Sequence, residues 1–296
     1  MTQAEMQDGD YQQQGYLNRD FRFFHICDRK KIDFSYHYHE FDKIILFLRG
    51  NAKYIIEGRE YELKPYDFVL VNRYDIHKAV VDFTEDYERI ILYIRHDFLT
   101  GYYAEGAHPY SLADCLEEAG KRKTHVVRFP ANVSADLYND LQLLDKDIAG
   151  EEQNYAGELL TRTDLIRFLI GLNAACMKGE SAFHPEARYN RKIIDIIEYI
   201  MEHLGDDLSI DEIADRFYIS KYHMMRIFKA DTGYSIHQYI SEKRILMARN
   251  LILEGMPATS ASLESGFHDY SSFCRAFKKQ LDILPSELKN DLQVQE

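Results

Sequence analysis

The sequence lacks the features that would place a protein in a membrane or in an oxidising compartment. Its longest apolar runs, such as Ile44–Leu48, fall far short of the roughly 20 residues that a membrane-spanning helix needs. The N-terminal stretch MTQAEMQDGDYQQQGY is polar and acidic and has no apolar segment typical of a secretory signal. We therefore expect a cytoplasmic protein with no membrane partner. In agreement, its four cysteines are widely scattered and form no Cys-x-x-Cys motif: Cys27, Cys115, Cys176 and Cys274.

Positive charge is scarce in the chain as a whole, but it is unevenly distributed. The net charge of −13 argues against a nucleic-acid partner when only the total is considered. Between Arg216 and Lys279, however, ten Lys and Arg residues stand against five Asp and Glu residues, a local net charge of +5. This basic segment is a candidate for contact with phosphate groups, although a solvated surface would show the same charge.

The residue patterning changes twice along the 296 residues, a length that suits two or three domains. Residues 21–130 contain short runs rich in Ile, Val, Tyr and Phe between polar turns, which predicts a β-barrel or sandwich. Residues 131–180 show helical spacing, residues 181–188 are typical of a linker, and residues 189–296 are helical throughout. Residues 1–20 would form an N-terminal arm. The predicted fold class is therefore α+β with several domains.

Two amphipathic helices are predicted within residues 131–180, joined as an antiparallel hairpin. Their leucines recur at three- and four-residue intervals and form a seam more apolar than a monomer usually exposes. We expect this seam at the interface of a homodimer, the alternative being that it packs on the barrel. The seam consists of Leu137, Leu141, Leu144, Leu165, Leu169 and Leu172.

The helical C-terminal third contains a short helix, a tight turn and a second helix. Ser209 and Glu212 stand at the spacing of a capping box, which predicts that the first helix starts there. Ser220 is suited to the N-cap of the second helix, and Gly233 is suited to its end. Because the second helix would expose a basic face, this arrangement predicts a helix-turn-helix motif.

The same arrangement recurs downstream, where a second basic helix is predicted. Arg275 stands two residues before Phe277, as Arg226 stands two residues before Phe228. A long helix from Ser235 would join the two motifs. Two such motifs at a fixed distance suggest insertion into successive major-groove segments on one face of DNA.

These residues, in this order, resemble the paired helix-turn-helix domain of the AraC/XylS family of bacterial transcription regulators. The match extends over about 100 residues and includes Ile213-Ala214, Ser220, Arg226–Lys229, Gly233, Tyr239, Arg244, Ala248, Leu251, Gly266-Phe267, Phe273, Phe277-Lys278 and Pro285–Glu287.

The resemblance implies which side chains face DNA. Arginines carry the strongest chemical argument, since a guanidinium can bond both major-groove acceptors of guanine. Met225 and Cys274 offer only apolar contact, for example to thymine methyl groups. The implied DNA-binding set is Lys221, Tyr222, Met225, Arg226 and Lys229 in the first motif, with Tyr270, Ser271, Cys274, Arg275 and Lys278 in the second.

The second motif departs from the family pattern. Where the family usually has two large apolar residues in the first helix, this chain has Ala258 and Ala261, and each such loss from a core typically costs about 2–5 kcal/mol. We therefore expect the second motif to be loosely packed and to read DNA weakly. Tyr218 replaces a frequent turn glycine, and Asp282 replaces a glycine common near the end.

In the N-terminal region, two histidines two residues apart precede an apolar run. Residues at this spacing on a strand point to one side, so His37 and His39 would project together. With Gly50, Pro65-x-Asp67 and His77 in order, residues 21–130 resemble the cupin-like barrel that precedes the DNA-binding domain in many family members.

Lys43 argues against a metal at these histidines. It occupies the position of the carboxylate with which enzymatic cupins complete their metal site, and an ammonium group repels a cation. We therefore favour a pocket for a small organic ligand without metal or cofactor, over a metal site or purely structural histidines. The predicted ligand-binding residues are His37, His39, Lys43, Tyr54, His77 and Tyr93.

Together these patterns predict a ligand-responsive, sequence-specific DNA-binding transcription regulator rather than an enzyme. Its expected partners are a double-stranded DNA operator, a small-molecule effector such as a sugar, RNA polymerase if it is an activator, and a second copy of the chain. Carbohydrate or other small-metabolite genes are the expected targets. The alternatives are a metal-dependent cupin enzyme fused to a DNA-binding module, and a constitutive regulator whose barrel only dimerises.

Overall fold

The computed structural model describes residues 17, 19–29, 34–107, 109–178, 183 and 187–288. The chain divides into an N-terminal unit, Met1–Arg188, and a C-terminal unit, Tyr189–Glu296. Of the predicted N-terminal arm, all but residues 17, 19 and 20 lie outside the described residues.

The N-terminal unit is built on two antiparallel β-sheets. In the described residues the larger sheet has the order β1-β7-β2-β5-β10 and the smaller sheet the order β11-β4-β3-β6. The larger sheet comprises β1 (Phe21–Asp28), β2 (Asp42–Arg49), β5 (Phe68–Val71), β7 (Tyr87–Ile94) and β10 (Val126–Val127). The smaller comprises β3 (Asn51–Ile56), β4 (Arg59–Glu62), β6 (His77–Asp82) and β11 (Ala187–Tyr189). A two-stranded ribbon pairs β8 (Tyr103–Ala104) with β9 (Tyr110–Ser111).

The larger sheet is buried on both faces, which explains the continuous apolar run in β2. Ile44 and Leu46 point toward a core that includes the helices of this unit. Ile45 and Phe47, of opposite parity, point toward a second core shared with the smaller sheet. Since successive strand residues alternate between faces, a strand between two cores must be apolar at every position. The predicted β-rich domain is confirmed, with its strands arranged in two sheets.

Among the described residues of this unit, four helices accompany the sheets: α1 (His96–Thr100), α2 (Asp114–Arg122), α3 (Ala131–Ala149) and α4 (Gly157–Met177). The last two form the predicted hairpin. All six leucines of the predicted seam are at most 3% exposed and belong to the core beneath the larger sheet. They are unavailable to a second chain, so the prediction of an exposed dimerisation seam at Leu137, Leu141, Leu144, Leu165, Leu169 and Leu172 is wrong. The reason is that the sheet offers a second apolar face, which these leucines cover.

The predicted linker, residues 181–188, lies mostly outside the described residues. Within it, however, Phe183 is buried and forms a β-bridge with Val127. Part of this segment therefore packs on the N-terminal unit.

The described part of the C-terminal unit is helical. Its helices are α5 (Arg191–Glu202), α6 (Ile210–Arg216), α7 (Lys221–Thr232), α8 (Ile236–Leu253), α9 (Ala258–Glu264) and α10 (Tyr270–Leu281). The pairs α6–α7 and α9–α10 are the two predicted helix-turn-helix motifs, and α8 joins them. The predicted helical DNA-binding architecture is confirmed.

Helix ends follow the expected capping residues. The Ser209 hydroxyl accepts a hydrogen bond from the Glu212 amide, 3.1 Å, at the start of α6. Ser220 occupies the N-cap position of α7, and Gly233 ends that helix in the left-handed conformation at φ 78°. A full capping box stands at Ser235, the start of α8. Local sequence signals therefore define these boundaries.

Within the described residues, none of the helices combines the length and apolar character that crossing a lipid bilayer requires.

Candidate functional site

The predicted histidines meet inside the N-terminal unit. His37 and His77 form a two-way backbone bridge, with amide-to-carbonyl distances of 3.1 and 2.9 Å. Their ring centroids are 4.3 Å apart, and the ring of His39 lies 4.9 Å from that of His37 and 5.1 Å from that of His77. We call these three residues the histidine cluster. His77 begins β6, whereas His37 and His39 precede β2 in the chain. Isolated backbone hydrogen bonds position these two: the bridge to His77 holds His37, and the His39 carbonyl oxygen accepts from the Tyr74 amide at 2.7 Å.

Lys43 lies in the same place, as its strand parity predicts. Its Nζ donates a hydrogen bond to the Tyr54 hydroxyl, 3.1 Å, and lies 3.5 Å from Nε2 of His77. It also stands over the Tyr93 ring at 5.6 Å. The structure thus brings all six predicted ligand-binding residues together around a Lys43 side chain that is 1% exposed.

Burial controls the charge of these groups. It lowers the pKa of His37 to about 4, with Lys43 as the second cause. The pKa values of His39 and His77 are also lowered, again by burial first and by Lys43 second. Burial, followed by the charge of Arg89, lowers the pKa of Lys43 to about 7. The imidazoles are therefore uncharged at neutral pH, with nitrogen lone pairs available to a donor or a cation.

Arg89 was not predicted, although it contributes to this interior. It is 2% exposed, lies on the face of Tyr87 at 4.1 Å, and donates to the Asp28 carboxylate at 2.5 Å. A sequence signal for it exists. Position 89 has the parity of Ile91 and Tyr93, which point toward the core between the sheets, and a charge at such a position is unusual.

The first recognition helix, α7, buries Met224 and Phe228 and turns its predicted DNA-binding residues outward. Tyr222 is 86% exposed, Arg226 is exposed, and Nη2 of Arg226 lies 3.1 Å from Nδ1 of His223. Lys229 is exposed, whereas Met225 is half-buried. The predicted set therefore shares one accessible face.

Lys221, at the start of α7, is already engaged within the motif. Its Nζ donates to the Asp211 carboxylate on α6 at 2.8 Å. The side chains are 42% and 71% exposed, so solvent screens the pair and it contributes little to stability. A phosphate could compete for this ammonium, but Lys221 is a weaker candidate for DNA contact than the exposed Lys229.

The second recognition helix, α10, presents the corresponding face. It buries Phe273 and Phe277 and leaves Arg275 exposed, with Nη2 of Arg275 donating to the Ser272 hydroxyl at 2.9 Å. Arg226 and Arg275 thus each contact the side chain three residues earlier in their own helix. The other predicted contacts on α10 are exposed, except for half-buried Cys274: Tyr270, Ser271 and Lys278.

Comparison with known proteins identifies both units. An AraC-like ligand binding domain matches residues 28–169, and a helix-turn-helix domain matches residues 213–291. The regulatory protein SoxS of Escherichia coli strain K12 is 31% identical over 105 residues, which are 35% of this chain and 98% of SoxS. The chain belongs to the AraC family of transcription regulators.

Two further proteins resemble this AraC-family chain over most of its length. The HTH-type transcriptional activator RhaS of Escherichia coli strain SMS-3-5 is 24% identical over 264 residues, 87% of this chain and 88% of RhaS. Among solved structures, ToxT from Vibrio cholerae aligns with 91% of this chain and 97% of its own at 17% identity, with a TM-score of 0.36. The matched ligand-binding and helix-turn-helix domains make the AraC-family protein a ligand-responsive transcription regulator and not an enzyme.

Proposed function

We propose that this AraC-family protein binds a DNA operator with α7 and α10 and responds to a small metabolite, with carbohydrates as the first candidates, in its N-terminal unit. The observation that carries the DNA part is the pair of exposed arginines, Arg226 and Arg275, at corresponding places on the two recognition helices. Each guanidinium can make a bidentate bond to guanine, which is the commonest specific contact in the major groove.

Selection of binding sites from random duplex DNA tests this part. We expect the selected duplex to bind at least about 1,000-fold more tightly than a shuffled duplex of the same composition at one fixed salt concentration. Equal affinities for the two duplexes would show that the protein binds DNA without sequence specificity.

The effector part rests on the interior around the histidine cluster. A few polar groups and the aromatic faces of Tyr54 and Tyr93 are the elements from which small-molecule sites are usually built. We expect one member of a panel of sugars and sugar acids to raise the melting temperature and to change the affinity for the selected duplex. His39→Ala should remove this response, whereas His25→Ala, a change outside the cluster, should retain it. If the response persists in His39→Ala, the effector binds elsewhere in the protein. If no panel member gives a response, a constitutive regulator is favoured.

Because the predicted leucine seam is buried, we look for a dimer interface on the exposed side of α4 instead. Leu159, Ile166, Ile170 and Met177 recur at intervals of seven, four and seven residues, so they share one helix face. Leu159, Ile170 and Met177 are 64%, 55% and 49% exposed, and Ile166 is half-buried. We propose that this stripe forms the interface of a homodimer, since such apolar stripes commonly mark protein interfaces.

Sedimentation velocity tests the dimer at micromolar concentration. Ile170→Glu should shift the protein toward monomer, because a charge would enter the interface. Leu160→Glu is the matched control: Leu160 is 40% exposed on the same helix but lies about 100° away from the stripe. A monomeric wild type, or equal effects of the two changes, would contradict the proposal.

We extend the proposal to activation through contact with RNA polymerase in the cytoplasm, because RhaS, which aligns over most of the chain, is described as an activator. Transcription in vitro from a promoter carrying the selected duplex tests this. Reduced rather than increased transcript would make the protein a repressor.

A further inference from the structure

The histidine cluster brings three metal-binding groups to one buried point. One ring nitrogen from each of His37, His39 and His77 lies within 4.8 Å of the others. His77 is fully buried and His39 is 6% exposed. The chain reaches this point from separate places, because residues 37 and 39 precede β2 and residue 77 begins β6.

Two of the histidines have their protonation fixed by the backbone. Nδ1 of His37 lies 2.8 Å from the Ser35 carbonyl oxygen, and Nδ1 of His77 lies 2.8 Å from the Asp75 carbonyl oxygen. A carbonyl oxygen only accepts hydrogen bonds, so each Nδ1 must carry the proton and donate it. Nε2 of each ring is left as a lone-pair donor, which is how metal-binding histidines are usually oriented.

The ring of the third histidine has no hydrogen-bond partner among the described residues. Both Nδ1 and Nε2 of His39 are buried and unpaired there, although the ring stacks on Phe41 at a centroid distance of 4.5 Å. Buried polar nitrogens are nearly always paired, and an unpaired one is costly. A ligand that accepts a lone pair would satisfy one of these two nitrogens.

The space between the rings suits an ion better than an organic molecule. The three ring centroids lie 4.3–5.1 Å apart, and His39 also lies 5.6 Å from the Tyr93 ring. A sugar could enter among them only if the rings separated. For a tetrahedral ion with metal–nitrogen bonds of about 2.0–2.1 Å, the nitrogens would need to lie about 3.3 Å apart. They now lie within 4.8 Å of one another, so binding would draw the rings closer.

Lys43 is the group that opposes a cation here, and it was the reason to expect none from the sequence. Its Nζ lies 3.5 Å from Nε2 of His77, but it has a second partner in the Tyr54 hydroxyl at 3.1 Å. The flexible lysine can therefore release His77 while keeping its bond to Tyr54. Its charge would weaken cation binding without removing the three nitrogen donors.

We propose that His37, His39 and His77 bind one divalent transition-metal ion, through one ring nitrogen each. An all-imidazole donor set selects ions such as Zn²⁺, Co²⁺ or Ni²⁺ over Mg²⁺ and Ca²⁺. Three protein donors leave a coordination position open, to which an oxygen atom of a polyhydroxylated or acidic effector can bind. The inference rests on the proposed function in one respect, because it supplies the effector site with its anchoring atom.

Metal binding by the full-length chain tests the inference directly. After treatment with chelator, we expect the protein to bind one equivalent of Zn²⁺ per chain in equilibrium dialysis. With Co²⁺ it should develop the visible absorption of a nitrogen-coordinated ion. Binding of Mg²⁺ but not Zn²⁺, or of no metal at all, would overturn the proposal.

Variants separate this site from adventitious binding. His39→Ala and His77→Ala should lower Zn²⁺ affinity about 100-fold or more, since loss of a ligand exceeds the effect of losing its supporting hydrogen bond. His25→Ala is the control and should bind Zn²⁺ as the wild type does. Unchanged stoichiometric binding in both cluster variants, or equal loss in His25→Ala, would contradict the assignment.

A third substitution should raise Zn²⁺ affinity rather than lower it, so its effect cannot be attributed to a failure to fold. Lys43→Met removes the neighbouring positive charge and should raise Zn²⁺ affinity by roughly tenfold or more. A loss of function through misfolding cannot produce tighter binding. Weaker or unchanged binding in Lys43→Met, with circular dichroism showing a folded protein, would argue against an ion beside Lys43.

Binding of the selected duplex distinguishes failure of this inference from failure of the proposed function. If the metal-free protein responds to an organic effector on DNA but binds no Zn²⁺, the metal site is wrong and the regulator stands. If Zn²⁺ binds through the cluster while DNA binding shows no sequence preference, the metal site stands and the proposed function fails.

Discussion

The two helix-turn-helix motifs make the same two backbone bends with opposite residues. In the first motif, the turn residue is Tyr218 at φ 51°, and the recognition helix ends at Gly233 with φ 78°. In the second, the turn residue is Gly266 at φ 83°, and the helix ends at Asp282 with φ 60°. The left-handed conformation is thus needed at all four places, but glycine provides it at only two.

Crowding explains why glycine is retained in the second turn. A Cβ atom on Gly266 would lie 2.7 Å from Cζ of Arg244. That guanidinium cannot easily move, because it donates to the carbonyl oxygens of Leu204, Asp206 and Gly266 at 2.5–2.8 Å. Tyr218, in contrast, is 93% exposed. A left-handed turn therefore tolerates a side chain where solvent surrounds it and excludes one where a neighbouring group is fixed.

The motifs also differ in what their first helices bury. Helix α6 buries Ile210 and Ile213, whereas α9 buries Ala261 and Ser262. Phe273 and Phe277 pack beside Ala261 with ring centroids 5.4 Å apart. Aromatic side chains from the recognition helix thus contribute the bulk that α9 does not provide, and the expected loose packing of the second motif stays a prediction.

The largest effect that we expect comes from Gly266→Ala, which should lower the free energy of unfolding of the C-terminal unit by about 2–4 kcal/mol. This value combines left-handed strain with displacement of Arg244. Gly255→Ala is the matched control, since Gly255 has φ 108° and a Cβ atom added there would meet nothing within 4 Å. Urea denaturation of both variants measures the difference, and equal losses would show that Arg244 yields freely.

Next in size is the effect of the recognition arginines on DNA. Arg226→Ala should weaken binding to the selected duplex by about 1–3 kcal/mol, because a bidentate guanine contact would be lost. Arg275→Ala should cost less if the second motif reads DNA weakly. Titrations at one salt concentration compare them, and equal costs would show that both motifs read bases.

Lys229→Ala serves as the control for base reading. Loss of an exposed lysine that lies near phosphates should weaken binding to all duplexes alike and should reduce the salt slope of binding by about 1. If Lys229→Ala instead changed sequence preference while Arg226→Ala did not, the roles of the two side chains would be reversed.

A smaller effect, of opposite sign, is expected from Tyr218→Gly. Removing left-handed strain from an exposed tyrosine should stabilise the C-terminal unit by about 1 kcal/mol. Tyr218→Ala keeps the Cβ atom and should give no comparable gain. Chemical denaturation checks both variants, and a destabilised Tyr218→Gly protein would mean that the tyrosine side chain itself contributes to stability.

The smallest effect is expected for Asp282→Gly. Asp adopts the left-handed conformation more readily than tyrosine, so relief should amount to a few tenths of a kcal/mol, measured in the same denaturation experiment. A gain larger than that of Tyr218→Gly would reverse the order of strain between the two motifs.

The helix-turn-helix architecture could be predicted from the sequence because its signals are local. Ser209 as a cap, Gly233 as a helix end, and the spacing of Arg226 and Phe228 act within one or two turns of the chain. The resemblance to the AraC/XylS family implied that Tyr218 and Asp282 stand where glycine is common, and both adopt left-handed φ angles. Capping residues therefore define the helix ends locally, whereas these two turns were indicated by the resemblance.

The fate of apolar surfaces could not be predicted in the same way. The leucines of α3 and α4 were correctly placed on one helix face, but their partner is a sheet face formed by distant strands. Only the fold shows that the other side of α4, which carries Ile170, is exposed. Helical periodicity defines a face and carries no information about what covers it.

By itself, the sequence determined that a β-rich region precedes two helix-turn-helix motifs, and it determined the helix ends at Ser209, Ser220 and Gly233. It also singled out His37, His39 and His77, which the structure brings together. Only the tertiary structure decided that His39 has two unpaired buried nitrogens, that Lys43 has Tyr54 as a second partner, and that Arg89 contributes to the same interior. The physical reason is range. Capping and strand parity act between neighbours in the chain, whereas burial, desolvation and hydrogen bonding depend on segments that only the completed fold brings together.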